Sequence, residues 1–299
     1  MKLPSCASII QINELDVLAI NHPDFIALIT LQGAQLIEFC TPKHPDNWLF
    51  LSEGNTFELG KAPRGGIPIC WPIFGAYAAN PDAVKKSFDT LAQHGFARER
   101  LWLIKEVSLS SSQNGSTDND APSPLSVTLT LNDKDHHLCA QARFDFSANG
   151  FSLQLTTHNL GLNPVTFSQA LHSYFPTADI HQTQISGFDQ IHYWDAMASP
   201  WALKQQVGDI TFSEETDRIY QQGSTCKLNT PERVYHLSSD GSNSTVIWNP
   251  WIEKSKRLSQ FSDEQYQQMV CIETANAVED CITLEKGQEH SLTLRVSIE

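Results

Sequence analysis

Long apolar runs are absent from this 299-residue sequence. No stretch approaches the roughly 18 apolar residues that a membrane-spanning helix needs. The first six residues also lack the long apolar segment of a secretory signal. The sequence therefore predicts a soluble cytoplasmic protein.

Basic residues are scarce. The chain has 20 lysines and arginines against 34 aspartates and glutamates, which gives a net charge of -14. A chain with this balance is repelled by nucleic acids and by anionic membranes, so we expect neither as a partner. If the ligand is an anion, the few arginines must be concentrated where it binds.

Cysteine pairs with the spacing of a metal site are also missing. The seven cysteines form no Cys-x-x-Cys motif, and they lie too far apart for a zinc finger. We expect them to be reduced and to fill small core positions. Cys70 and Cys271 have apolar neighbours, which favours buried thiols over nucleophiles.

Long helical periodicity is nearly absent, whereas the period-two alternation of half-buried strands recurs throughout the chain. The clearest helix candidate is one short turn after Ser262, where Asp263 and Glu264 suit the positive end of a helix dipole. The alternation is strict in 125–131 and 292–298, and looser in 15–20, 34–39, 101–109, 138–146, 151–157, 233–237 and 245–248.

Many strands joined by Gly, Pro, Asn and Asp clusters, without alternation of strands and helices, predict an all-β fold. We expect a large antiparallel β-sandwich or barrel with few short helices. One domain over residues 1–299 is the simpler arrangement. The low-complexity segment 110–124 is predicted to be the long, mobile tip of a hairpin.

The segment from Arg64 to Gly75 contains three glycines, two prolines and a tryptophan. Proline removes backbone donors and glycine permits positive φ, so this segment is a rigid loop rather than a helix. Arg64 precedes an uncharged, mostly apolar tail, which is how a guanidinium is held at the rim of a pocket. An arginine that only pairs with a carboxylate in a buried crossover fits the spacing equally well.

Other polar residues lie beside glycines or follow apolar stretches. Polar groups at strand ends can face a cleft while their backbone stays fixed, so His172 and Glu273 are the leading acid/base candidates. Structural, hydrogen-bonded histidines and a surface pair between Asp217 and Arg218 are the alternative explanation. The complete set of candidates is Arg64, His94, Arg98, His172, Asp217 and Glu273.

The motifs around these residues occur in the order found in hexose-6-phosphate mutarotases, the glucose-6-phosphate 1-epimerases of the aldose-1-epimerase superfamily. The resemblance covers about residues 60–275 and implies the galactose mutarotase-like sandwich. It rests on the Arg64 loop followed by His-Gly-Phe-Ala-Arg at 94–98, His-Ser-Tyr-Phe at 172–175, Asp-Arg-Ile-Tyr at 217–220, Trp-Asn-Pro-Trp at 248–251 and Cys-Ile-Glu at 271–273.

The resemblance also implies a role for each candidate. Acid/base exchange of anomers requires neither a cofactor nor a metal, and we expect a monomer that binds a sugar phosphate. One departure is Thr274-Ala275-Asn276, where some relatives have Pro-Gly after the glutamate, which leaves the local loop geometry open. The implied roles are general acid for His172, general base for Glu273, contacts to the sugar oxygens for His94 and Asp217, and phosphate contacts for Arg64 and Arg98.

Other classes of protein also have a β-rich fold with these residue types. A metal-dependent cupin needs a His-x-His pair, whereas the adjacent His136 and His137 would face opposite ways on a strand. A glycosidase could use Asp217 and Glu273, but the histidine would then have no purpose. An aldose 1-epimerase for unphosphorylated sugars is a further alternative. A non-catalytic sugar-binding sandwich would stack its ligand on Trp71, Trp248 or Trp251.

Overall fold

The computed structural model describes residues 2–109, 125–223 and 225–299. The predicted hairpin tip at 110–124 lies outside the described residues. The helices are α1 (Asp82–Ser87), α2 (Trp251–Ser255) and the 3-10 helices Tyr77–Ala79, Ala97–Glu99, Ile180–Gln182, Gln265–Gln268 and Val278–Asp280. The strands are β1 (Ala7–Ile12), β2 (Leu15–His22), β3 (Phe25–Thr30), β4 (Gln35–Cys40), β5 (Ile69–Cys70), β6 (Leu103–Leu109), β7 (Leu125–Asp133), β8 (Leu138–Ser147), β9 (Gly150–Asn159), β10 (Val165–Phe167), β11 (Gln169–Leu171), β12 (Tyr174–Pro176), β13 (Gln184–Ser186), β14 (His192–Asp195), β15 (Ala202–Gln205), β16 (Thr216–Tyr220), β17 (Thr225–Asn229), β18 (Val234–Asp240), β19 (Ser244–Asn249), β20 (Met269–Asn276), β21 (Ile282–Leu284) and β22 (Glu289–Ile298).

Two eight-stranded sheets dominate the described part of the chain. Sheet I has the strand order β15-β14-β16-β19-β20-β11-β5, and β12 also pairs with β20. Sheet II has the order β13-β17-β18-β22-β9-β8-β7-β6. Neighbouring strands are antiparallel in both sheets. Strands β1 to β4 form a further antiparallel sheet, and β10 pairs with β21.

Side chains from both large sheets share one hydrophobic core. Phe144 and Leu153 of sheet II are fully buried in the same cluster as Ile247 and Met269 of sheet I. Two sheets that bury their inner faces against each other form a β-sandwich. The predicted all-β antiparallel sandwich is therefore confirmed.

The period-two segments are strands. Segment 125–131 lies in β7, where Leu125, Val127 and Leu129 are fully buried, and segment 292–298 lies in β22. The looser segments fall on β2, β4, β6, β8, β9, β18 and β19. Alternation identifies these strands because one face of each packs on the core.

The helix prediction was wrong in part. Residues 262–264 form no helix, and a 3-10 helix follows at Gln265–Gln268. Helices α1 and α2 were not predicted, since helices of six and five residues are too short to show a 3.6-residue period. Each follows a proline, Pro81 or Pro250, whose fixed φ suits the start of a helix.

Most cysteines occupy the core, as expected. Cys6 and Cys281 are half-buried. Among the described residues, no helix is long and apolar enough to cross a membrane. The buried cysteines are Cys40, Cys70, Cys139, Cys226 and Cys271.

Candidate active site

Three neighbouring strands of sheet I, β16, β19 and β20, provide one wall of a pocket. Ile219 pairs with Val246, which pairs with Glu273, and Asp217 pairs with Trp248. Because side chains two residues apart share a face of a strand, these five residues lie on the same face of the sheet. All five line a single cavity of about 420 Å³.

Glu273 is in the interior of β20, not at a strand end as the sequence argument assumed. That argument was wrong because Thr274, Ala275 and Asn276 continue the strand and pair with β11. The residues that replace Pro-Gly therefore extend the sheet instead of forming a loop. Glu273 pairs with Val246 of β19, which holds its backbone in place, and its side chain is 2% exposed.

His172 lies at a break between β11 and β12, both of which pair with β20. Leu171 pairs with Thr274 and Tyr174 with Cys271, so the break faces the middle of β20. The backbone N–H of His172 donates to the Pro68 carbonyl at 3.0 Å, which joins the break to the Arg64 loop.

The two leading acid/base candidates are neighbours. His172 Nε2 lies 3.5 Å from Glu273 Oε1. Burial raises the pKa of Glu273 well above its usual value, and the Asp217 carboxylate raises it further. Burial and the neighbouring basic groups lower the pKa of His172. Glu273 Oε2 and His172 Nδ1 are buried without a hydrogen-bond partner among the described residues, which is unusual for buried polar atoms.

The Arg64 loop packs closely against the rest of the chain. Gly65 and Gly66 have φ of 116° and 61°, and a Cβ on either would lie 2.3 Å from a backbone oxygen. Only glycine suits both demands. This close packing holds the Arg64 guanidinium beside Tyr174, with Nη1 3.5 Å from the phenol oxygen. Arg64 Nε is buried and lacks a partner in the described part of the chain.

His94 and Arg98 reach the pocket from a second tight turn. His94 and Gly95 have φ of 66° and 68°, and the Gly75 N–H donates to His94 Nδ1 at 3.2 Å. Burial, together with the positive charge of Arg98, lowers the pKa of His94 to about 3. A neutral imidazole whose Nδ1 accepts a hydrogen bond carries its proton on Nε2. The Nε2 side of the His94 ring contacts the side-chain amide of Gln93 at 3.2 Å. Arg98 Nη2 donates to the Gln93 carbonyl at 2.9 Å.

Asp217 is on β16 and lines the same pocket as Arg64 and Arg98. Burial raises its pKa to about 6, and Lys254 acts in the opposite direction. Lys254 Nζ lies 3.9 Å from Asp217 Oδ2. The sequence argument missed Lys254 and also Tyr174, whose ring stacks on His172 at 4.8 Å between centroids. The Trp-Asn-Pro-Trp motif just before Lys254 was the available signal.

The structure brings all six predicted site residues to this one cavity. Arg64 has no carboxylate partner among the described residues, whereas the alternative of a buried crossover requires an arginine paired with a carboxylate. The pocket is also lined by Trp248 and Lys254. The lining residues among the six candidates are Arg64, His94, Arg98, His172, Asp217 and Glu273.

The cupin alternative and one of the three stacking candidates, Trp71, do not fit this geometry, whereas Trp248 of the stacking alternative lines the pocket. Trp71 is fully buried and donates from Nε1 to Thr157 Oγ1 at 2.9 Å, so it cannot stack on a sugar. His136 and His137 lie in a turn rather than on a strand, and His136 Nδ1 is 2.6 Å from Asp133. Within the described ranges, no three His, Cys, Asp or Glu residues are arranged to hold a metal ion.

The chain belongs to the aldose 1-epimerase family, whose model matches residues 16–297. A protein from Cenchrus ciliaris is 30% identical over 286 residues, which cover 88% of this chain and 78% of that protein. One from Escherichia coli K12 is 29% identical over 296 residues, 96% of this chain and 92% of its own. Both carry the provisional name glucose-6-phosphate 1-epimerase.

Solved structures agree with the sequence relatives. The crystal structure of YeaD from Salmonella typhimurium, provisionally described as a mutarotase, superimposes with a TM-score of 0.84 at 25% identity. The match covers 99% of this chain and 95% of that one. The crystal structure of HI1317 gives a TM-score of 0.77 at 27% identity, and the match covers 100% of this chain and 98% of that one. The resemblance to the mutarotases is therefore confirmed.

Proposed function

We propose that this protein interconverts the α and β anomers of a hexose 6-phosphate, with glucose 6-phosphate as the expected substrate. The observation that carries the proposal is the convergence of an acid/base pair and two arginines on one pocket. The provisional names of the relatives support the same activity.

In this mechanism His172 and Glu273 exchange protons with the sugar. Glu273 removes the proton of the C1 hydroxyl while His172 delivers one to the ring oxygen, and the hemiacetal opens. The aldehyde then rotates about the C1–C2 bond and closes on its other face as each residue reverses its role. Both groups return to their starting protonation state, so no other reactant is consumed. Catalysis of this kind contributes about 10²–10⁴-fold from each group.

The substrate's phosphate supports this assignment electrostatically. In the free pocket, burial raises the pKa of Glu273 and lowers that of His172, which favours the uncharged pair. Arg64 and Arg98 add to the effect on His172. A phosphate dianion bound to both arginines offsets their charge and thereby favours the imidazolium form of His172. A positive imidazolium 3.5 Å from Glu273 in turn favours the carboxylate that ring opening needs.

Anomer exchange followed by NMR or polarimetry tests the proposal. His172→Asn and Glu273→Gln should each reduce the exchange rate by about 10²–10⁴-fold and leave circular dichroism unchanged. His158 and Glu289 are a matched control, since their side chains pair at 2.9 Å outside the pocket. His158→Asn and Glu289→Gln should retain the wild-type rate. Near-normal exchange by either pocket variant would contradict the assignment.

The remaining expectations extend this proposal. We propose that the protein binds a sugar phosphate without a metal or cofactor, in the cytoplasm and as a monomer. The reducing cytoplasm is compatible with cysteines buried in a β core. The single domain over residues 1–299 stays a prediction.

A further inference from the structure

Lys254 is a cation of the pocket to which the mechanism above gives no task. Its Nζ lies 3.2 Å from Glu215 Oε1 and 3.9 Å from Asp217 Oδ2. The same ammonium is 5.7 Å from the centre of the Trp248 ring, within the range of a weak cation-π contact. Lys254 therefore contacts the wall of the pocket at the rung where Trp248 pairs with Asp217.

The backbone that carries Lys254 is firmly attached to sheet I. Strand β19 ends at Asn249, whose side-chain amide donates to the carbonyls of Tyr266 and Met269, each at 2.8 Å. Asn249 Oδ1 accepts a hydrogen bond from the backbone N–H of Trp251 at 2.9 Å, where α2 begins. Helix α2 is thus fixed relative to β19, and so is the position from which Lys254 extends.

Carboxylates surround Asp217 on the sheet, whereas Arg218 beside it is on the opposite face of the strand and lies over the Tyr193 ring. Arg64 and Arg98 reach the same pocket from other segments of the chain.

Glu215 precedes Asp217 on the chain, and Asp195 lies on the neighbouring strand β14. Both carboxylates raise the pKa of Asp217, as does burial. On β20, Glu273 is near enough for Asp217 to raise its pKa in turn. Lys254 acts against these groups and lowers the pKa of Asp217.

We propose that Lys254 is a positioning residue that keeps Asp217 ionised, so that the carboxylate accepts hydrogen bonds from sugar hydroxyls. The inference rests on the proposed function, which gives Asp217 the sugar. A protonated carboxyl offers fewer acceptor sites than a carboxylate, and hydrogen bonds to the charged group are stronger. Lys254 therefore acts on substrate affinity through Asp217 and takes no part in the proton transfers.

Lys254→Met tests the proposal because it removes the charge and keeps much of the apolar stem. Losing an opposite charge at this distance should raise the pKa of Asp217 from about 6 by roughly one unit. The KM for glucose 6-phosphate should then rise about fivefold near pH 6 and approach the wild-type value near pH 8, while kcat stays within about twofold. Lys254→Arg should restore the wild-type profile.

Lys256→Met is the matched control. Lys256 lies just beyond the same helix, is exposed, and pairs with Glu253 at 2.9 Å. It does not line the pocket, so its removal should leave both KM and its pH dependence unchanged. Circular dichroism of each variant verifies the fold.

A direct titration separates this inference from the proposed function. The Asp217 carboxyl carbon, assigned with Asp217→Asn, can be followed by ¹³C NMR against pH in the wild type and in Lys254→Met. An upward shift of the midpoint supports the proposal whether or not anomers are exchanged. An unchanged midpoint, or a KM that rises by the same factor at every pH, would overturn it. Wild-type protein that left the anomer exchange rate unchanged would refute the proposed function instead.

Discussion

Substitution of Arg64 by alanine is the sharpest test of phosphate recognition. The Arg64 Nε is buried without a hydrogen-bond partner in the described part of the chain, and Nη1 reaches only Tyr174, at 3.5 Å. The terminal Nη1 and Nη2 groups, rather than the buried Nε, are therefore the donors that a ligand in the pocket can meet. Each charge-assisted hydrogen bond is worth about 1.5–3 kcal/mol. Loss of one such bond should lower kcat/KM for glucose 6-phosphate by roughly ten- to a hundredfold.

The comparison to make is kcat/KM for glucose 6-phosphate and for glucose, in the wild type and in Arg64→Ala. Glucose lacks the phosphate, so its value should change by no more than about threefold. Arg64→Lys keeps the charge without the planar fork and should recover only part of the loss. Arg98→Ala is a less specific change, since it also removes the hydrogen bond to the Gln93 carbonyl beside His94.

Arg100→Ala is the control, because this arginine is exposed, lies 3.7 Å from Asp133 and does not line the pocket. It should leave both sugars unaffected. An equal loss for both sugars in Arg64→Ala would show that Arg64 stabilises the fold instead. A wild-type enzyme that handles glucose as well as its 6-phosphate would refute the phosphate contacts and favour a plain aldose 1-epimerase.

Three further predictions follow from the structure. Gly95→Ala should lower the free energy of unfolding by about 2–4 kcal/mol in denaturant, because its φ is 68° and a Cβ would lie 2.2 Å from the Trp71 carbonyl oxygen. Gly60→Ala, with φ of 77° but open space around it, should lower the free energy of unfolding by less. Exhaustive chelation should leave anomer exchange unaltered, and a loss restored by zinc would contradict metal-free acid/base catalysis. Thiol reagents should not inactivate the native protein through Cys70 or Cys271, since burial raises the pKa of both thiols; rapid loss that substrate prevents would contradict this.

The sequence predicted the strands better than their arrangement. Leu125, Val127 and Leu129 alternate with polar residues, so β7 was visible without any tertiary information. The contact between His172 and Glu273 could not be predicted in this way, because it depends on β11 and β12 both pairing with a strand about 100 residues later. Motif order brought both residues to attention, whereas their 3.5 Å separation required the register of sheet I.

Errors arose where burial or helix formation depends on distant residues. Trp71 was one of three candidates for sugar stacking, yet it is fully buried and Thr157 from sheet II accepts its indole N–H. Lys254 was overlooked because α2 is too short to predict, and only the helix position brings its ammonium near Asp217. The burial of Trp71 has no local signal in the chain, whereas the Trp-Asn-Pro-Trp motif just before Lys254 pointed to that region.

The location of Glu273 inside β20 has a consequence for how this protein could change its substrate. The proposed base is on a strand with hydrogen-bonded neighbours on both sides, whereas Arg64 lies in a loop and Arg98 in the 3-10 helix Ala97–Glu99. Strand positions tolerate little rearrangement, while side chains on connecting segments accept substitution more readily. Substitution of these two side chains, with the glycines beside them retained, could therefore recruit new sugars or discard the phosphate requirement, and the proton-transfer chemistry would be inherited unchanged.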